Sequence, residues 1–164
     1  MYLTYDEYTE MGGEADETSF THLEKKAEKL IDDATYSHIN KFSRIRKGLS
    51  ERQAMLVYVE ELKKKAEKEG TIFKLPDDID FVFSDEEVEL IKECVFSLIN
   101  ISQNTIEQNG GKIVQSTSND GVSESYKVYN SIDEYYSYVD DIICEYLLGI
   151  HYNNVPVIYR GVAE

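Results

Sequence analysis

Three histidines and two cysteines are the residues of this 164-residue chain with the most chemistry to offer. His22, His38 and His151 are scattered, with no HExxH and no metal-ligand spacing to Cys94 or Cys144, so a zinc site is not expected. Neither cysteine belongs to a CxxC pair, and both fall inside helical patterns. That reads as free thiols, buried in a reducing compartment. The acidic run Asp77-Asp78-Ile79-Asp80, with Asp85-Glu86-Glu87 after it, offers oxygen ligands of the kind calcium takes. It lacks the glycine at the sharp turn and the bidentate glutamate at the twelfth place of an EF-hand loop. A solvated acidic loop ahead of a helix explains it better. Gly12-Gly13 and Gly110-Gly111 fit neither a P-loop nor a GxGxxG, no GxSxG is present, and no nucleophile, base and orienter come together. The expectation is a protein without catalytic, metal or cofactor sites.

Composition agrees with a non-catalytic role. A chain of this length favours one domain, residues 1–164, able to bury a core. The net charge of −15 is unevenly spread. Residues 1–20 hold six acids and no base, residues 21–75 nine acids and thirteen bases, and residues 76–164 seventeen acids and four bases. A free DNA binder would carry the opposite sign. The acidity fits solubility, or a wall that DNA must slide past. Met1 to Glu7 has neither a basic region nor an apolar core, so no signal peptide is expected. No apolar run reaches the length of a membrane span. A soluble protein made in a cytoplasm, with no membrane partner, is the expectation.

The elements that must position these residues are mainly helical. Thr4-Tyr5-Asp6-Glu7 has the form of a capping box, opening a short helix to about Met11. Asp16-Glu17-Thr18 opens a second helix, in which Phe20, Leu23, Ala27, Leu30, Ile31 and Ala34 make one apolar stripe, fading near residues 40–42. Arg44-Ile45-Arg46-Lys47 is a basic knot before Gly48, and Ser50 is placed as the cap of a third helix with Ala54, Leu56, Val57, Val59, Leu62 and Ala66 as its apolar positions. Lys63-Lys64-Lys65 and Lys68 suit that helix's C-terminal dipole; contact with DNA phosphate or an acidic neighbour is the other reading. Residues 72–83 read as a linker. Ser84-Asp85-Glu86-Glu87 is a second capping box. The helix after it is apolar around most of its circumference and reads as the central core helix. Residues 113–126 read as a β-hairpin, Ser118-Asn119-Asp120-Gly121 being a strong turn signal. Its strands are rich in Ser and Thr, so they want a neighbour. Ser131-Ile132-Asp133-Glu134 opens a last helix, with Tyr135, Tyr136, Val139, Ile142, Ile143, Tyr146 and Leu147 on one face and acids on the other.

Tyrosine is concentrated late in the chain: eight of thirteen lie between Tyr126 and Tyr159. Tyrosine is enriched at interfaces, although core packing explains Tyr135, Tyr136 and Tyr146 equally well. The tail, residues 150–164, contains the apolar run Val155 to Val162. Exposed, it would promote aggregation. It docks in a partner's groove, adds as a strand, or folds back on its own domain.

The order of these features resembles the head–tail connector (head-completion adaptor) proteins of long-tailed bacteriophages. The likeness rests on Met1 to Tyr8 with Gly12-Gly13, on the helix around Phe20, Leu23, Glu24, Ala27, Leu30, Ile31 and Asp32, on the hairpin Ser116 to Tyr126, and on the ending Tyr159-Arg160-Gly161-Val162. It covers roughly residues 1–43 and 84–162; residues 44–83 look like an insertion. It implies a helical bundle of four to five helices with a protruding β-hairpin and an extended C-terminal tail. It implies a structural virion protein at the neck, a homo-oligomeric ring, usually twelve-fold, docked beneath the portal protein. Such a ring extends the channel for double-stranded DNA, without specific binding, and meets a stopper or tail-side protein below. On this reading Val157, Ile158, Tyr159, Arg160 and Gly161 form the portal-docking tail. Ser118, Asn119, Asp120, Gly121 and Tyr126 make the inter-subunit hairpin, and Asp133, Asp140, Asp141 and Glu145 are candidates to face the channel. The competing class is a small acidic helical regulator, a DNA mimic that blocks a nucleic-acid enzyme one to one.

Overall fold

The computed structural model describes residues 1–35, 43–76, 81–107, 116–119, 122–125 and 132–158. Among them are five helices: α1 (Tyr5–Glu10), α2 (Glu17–Ala34), α3 (Arg44–Glu69), α4 (Asp85–Glu107) and α5 (Ile132–Leu147). The chain is mainly α, as expected, with a small antiparallel hairpin between α4 and α5.

The helix starts follow local sequence. In α1 the Thr4 side chain accepts from the Glu7 N–H while the Glu7 carboxylate accepts from the Thr4 N–H, two otherwise orphaned donors satisfied reciprocally. Asp16 caps α2 by accepting from Thr18 and Ser19. Ser84 and Glu87 repeat the reciprocal pattern ahead of α4, with bonds of 2.8 and 3.1 Å. The corresponding expectation at Ser131 falls outside the described residues. So does the stretch in which α2 was expected to fade; α2 itself ends earlier, at Ala34.

The core is organised on α4. Ile91, Cys94, Val95, Leu98 and Ile99 are all buried, with α2 packed on one side and α5 on the other. Phe20, Leu23, Ala27 and Ile31 face it from α2, and Val139, Ile142, Ile143 and Leu147 from α5. Tyr8 from α1 closes one end, its ring 5.0 Å from that of Phe20 and 5.6 Å from that of Phe96.

Two expectations are corrected at α3. The helix does not start at Ser50. It starts two turns earlier, where the Ser43 hydroxyl accepts from the Arg46 N–H, and Ser50 lies inside it, donating back to the Arg46 carbonyl. Gly48 is therefore not a break. Its missing side chain makes room for Phe83, whose ring occupies the place a Cβ would take. Ile45 and Phe83, near the two ends of residues 44–83, are fully buried in the core. The second correction concerns the apolar stripe. Of Ala54, Leu56, Val57, Val59, Leu62 and Ala66, only Val59 is buried; Ala54, Leu56 and Val57 are exposed. These positions do not share one helical face, so the last four turns of α3 turn apolar side chains outward. Gly70 ends the helix in the left-handed region at φ 66°, with the Thr71 N–H returning to the Ala66 carbonyl, a Schellman closure.

The first hairpin pairs β1 (Ser116–Asn119) with β2 (Val122–Ser125), Asn119 opposite Val122, so a two-residue loop joins them. The second pairs β3 (His151–Tyr152) with β4 (Val155–Pro156). Its loop residues Asn153 and Asn154 both have positive φ, 51° and 62°, as a type I′ turn requires and asparagine tolerates. This turn folds the tail back. The Val157 N–H donates to the Ile150 carbonyl at 2.9 Å, and Val157 and Ile158 are buried in the chain's own core.

The Gly48–Phe83 contact sets a test whose sign reverses. Gly48→Ala should cost about 1–3 kcal/mol in urea unfolding through overpacking against the ring. In a Phe83→Ala background, itself about 3–5 kcal/mol less stable, the same Gly48→Ala change should become neutral or stabilising by up to about 1 kcal/mol, the ordinary helical preference for alanine. A cost that persists without the ring would exclude the contact as its cause.

Candidate functional site

The described residues hold no group of three or more His, Cys, Asp or Glu placed to bind a metal ion. Cys94 lies in the core, where burial, with Cys144 nearby, pushes its thiol up to about 12. It stays protonated at neutral pH and is a poor nucleophile. The ring of His151 hydrogen-bonds the Gly149 carbonyl through Nδ1, and His22 lies on the exposed side of α2. His38 is outside the described residues.

The most concentrated polar arrangement is one the sequence reading missed. It ties the N-terminal segment, residues 1–3, to α2 and α3. The Tyr2 N–H donates to Glu24 Oε1 at 2.8 Å, and the Tyr2 hydroxyl donates to Asp32 Oδ1. Arg46 reaches Asp32 Oδ2 through Nε at 2.9 Å and Nη2 at 2.5 Å, and Glu28 Oε2 at 3.3 Å. Its guanidinium also lies over the Tyr2 ring, 5.2 Å from the centroid. The Ser43 hydroxyl, already the cap of α3, meets Thr35 Oγ1 at 3.0 Å. Burial, reinforced by the bond to Asp32, drives the Tyr2 phenol far above its ordinary pKa. The bonds to Asp32 hold the Arg46 guanidinium still more firmly charged. A locked phenol and a locked cation make a clasp. Its hydrogen-bonded pairs stand 8 to 41 residues apart in the chain and join three separate segments, so no spacing rule could have found them.

Beside the clasp runs a groove of about 710 Å³ between α3 and the start of α4, lined by Arg46, Leu49, Arg52, Leu56, Val88 and Lys92 among others. Its cations are already engaged. Arg52 binds the Phe83 carbonyl and Asp85, and Lys92 pairs with Glu7 at 3.0 Å and Glu89 at 2.7 Å. A phosphate would have to displace a carboxylate from each.

The residues expected to form the assembly surfaces are distributed as follows. Val157 and Ile158 are not exposed docking residues, because the β3–β4 turn returns them to the core. Arg44 holds them there, donating to the Pro156 carbonyl at 2.9 Å, and Tyr152 donates to the Glu51 carboxylate at 3.0 Å. Tyr159, Arg160 and Gly161 lie outside the described residues. Ser118 and Asn119 belong to β1; Asp120, Gly121 and Tyr126 are outside. Asp133, Asp140, Asp141 and Glu145 are all exposed. They share the side of α5 turned away from α4, a face with five acids and no base along the whole helix.

Glu24 supplies a pH test of the clasp. Burial, with the neighbouring Glu28 charge adding to it, raises the Glu24 pKa above its usual 4.5, against the opposing Tyr2 hydrogen bond. A raised folded-state pKa favours the folded protein below the unfolded value, and that advantage is lost as pH rises through the folded value. The wild type should therefore gain stability from Glu24 as pH falls from neutral toward 4.5. Glu24→Gln, which still accepts from Tyr2, should lack that gain. Thermal melts of both proteins across this range check it; parallel profiles would rule out the assignment.

No protein-family model, no curated protein and no solved structure matches the chain.

Proposed function

We propose that this protein is a structural adaptor: a subunit of a ring that docks beneath the portal of a phage capsid, extends the DNA channel and joins the head to the tail-side neck. The observation that carries the reading is the order of elements around α5. A bundle centred on α4 is followed by an antiparallel hairpin, then by a helix with one face in the core and an outer face that carries acids and no base. The strands of the hairpin are four residues each, and such a pair is marginal without neighbours, which a ring provides. An acidic wall repels DNA phosphates and so lets a duplex slide without holding it.

We place the portal contact at Tyr159 onward, because Val157 and Ile158 are buried in the core. Removing residues 159–164 should leave the melting temperature near wild type while abolishing capture of a portal protein from infected cells. Removing residues 155–164 should instead destabilise the fold, by at least the roughly 2–5 kcal/mol that a buried Ile truncation costs. Neutralising Asp133 and Glu145 together should slow packaging or ejection of DNA. Co-purification of one host nucleic-acid enzyme at equal stoichiometry, with no ring-shaped particles by electron microscopy, would overturn the adaptor reading in favour of an acidic regulator.

A further inference from the structure

Among the described residues, the outward half of α3 carries apolar side chains that the fold leaves uncovered. Of the ten large apolar side chains exposed among the described residues, five (Leu56, Val57, Tyr58, Ile72 and Leu75) belong to α3 or the segment just after it. Val57 and Tyr58 are half exposed, at 51% and 50%. On the helical repeat of 3.6 residues, Val57, Glu61, Lys64 and Lys68 form one stripe, with Tyr58 and Lys65 beside it. All six are exposed. An apolar pair followed by three lysines and one glutamate is the mark of a surface that meets something acidic.

The acidic outer face of α5 matches it in spacing as well as sign. Leu148, 61% exposed, lies seven residues beyond Asp141, with Asp140 adjacent. Val57 lies seven residues before Lys64, with Lys65 adjacent. Laid antiparallel, the two helices set Val57 against Leu148, Lys64 against Asp141 and Lys65 against Asp140. Lys68 then falls opposite Ser137, one turn from Asp133. The apolar contact and the charge pairs are separated by roughly 10 Å on each helix, so one register satisfies all three. The two faces belong to different elements of the chain, so the match is between copies, a heterologous contact that closes into rings when its rotation allows.

We propose that the outer face of α3 in one copy docks antiparallel on the outer face of α5 in the next. This rests on the reading of the chain as a ring subunit and names the contact that builds the ring; it takes Asp140 and Asp141 into the seam and leaves Asp133 and Glu145, toward the two ends of α5, to the channel.

Sedimentation velocity of the full-length chain over a concentration series tests it. The wild type should associate, and less so as salt is raised. Lys64→Glu with Lys65→Glu should weaken association by about tenfold or more, as should Asp140→Lys with Asp141→Lys. All four changes in one chain should restore it, with circular dichroism confirming equal helix content throughout. In a Cys144→Ser background, Val57→Cys mixed with Leu148→Cys should give disulfide-linked heterodimers in preference to either homodimer. A wild type that remains monomeric, or charge reversals that leave its association unchanged, would overturn the contact. The adaptor reading would then still stand or fall by portal capture. Restored association in the fourfold variant excludes both a general charge effect and an outside acidic partner as the explanation.

Discussion

The need to cover the wide apolar face of α4 decides the rest of the architecture. Ile91, Cys94, Val95, Leu98 and Ile99 are buried and Val88, Phe96 and Ile101 pack against them, more than a single neighbour could shield, so α2 and α5 both pack on α4 while Glu86, Glu89 and Glu93 stay exposed. Once those three helices are fixed, α1 can only seal an end, through Tyr8 against Phe20 and Phe96. The remaining helix is left with a shallow seat. α3 therefore joins the core through its first turns, at Ile45, Gly48 and Leu49, while Val59 is buried further along. It is secured at the edge by polar contacts: Arg46 to Asp32 and Glu28, Arg44 to the tail, Arg52 to Phe83 and Asp85.

That division explains why the two ends of the molecule differ in character. Near the start of α3, arginines face partly buried acceptors and hold separate segments together. Near its end, lysines and apolar side chains have water around them. An exposed ion pair such as Lys63 with Glu60 contributes little to stability. The outer turns of α3 persist because a helix once nucleated extends at low cost, and Gly70 stops it cleanly.

What the sequence made legible was local. The caps at Thr4, Asp16 and Ser84 could be read because donor and acceptor stand within three residues of each other. The apolar stripes of α2, α4 and α5 could be read because burial repeats with the helical turn. The start of α3 was misplaced because Gly48 has two opposite meanings, a break or a close approach, and only Phe83, 35 residues on, selects between them. The Arg46 clasp is likewise a product of long-range folding. The tail was different: its apolar character was plain, but burial in one's own core and burial in a partner's groove demand the same side chains. Asn153-Asn154 was the available discriminator, since two residues able to adopt positive φ in succession favour a tight reversal.

The C-terminal hairpin also fixes how this chain would carry mechanical load. The chain after Ile158 leaves from the same end of the β3–β4 pair at which α5 enters it, since Pro156 lies opposite His151. A pull on the terminus would thus peel the ladder open one bond at a time instead of shearing it, the weakest geometry for so short a ladder. Resistance would fall to the buried Val157 and Ile158 and to Arg44, which grips the Pro156 carbonyl from the first turn of α3. Tension applied at the last residues would pass into α3, making that helix the force-bearing strut of the molecule.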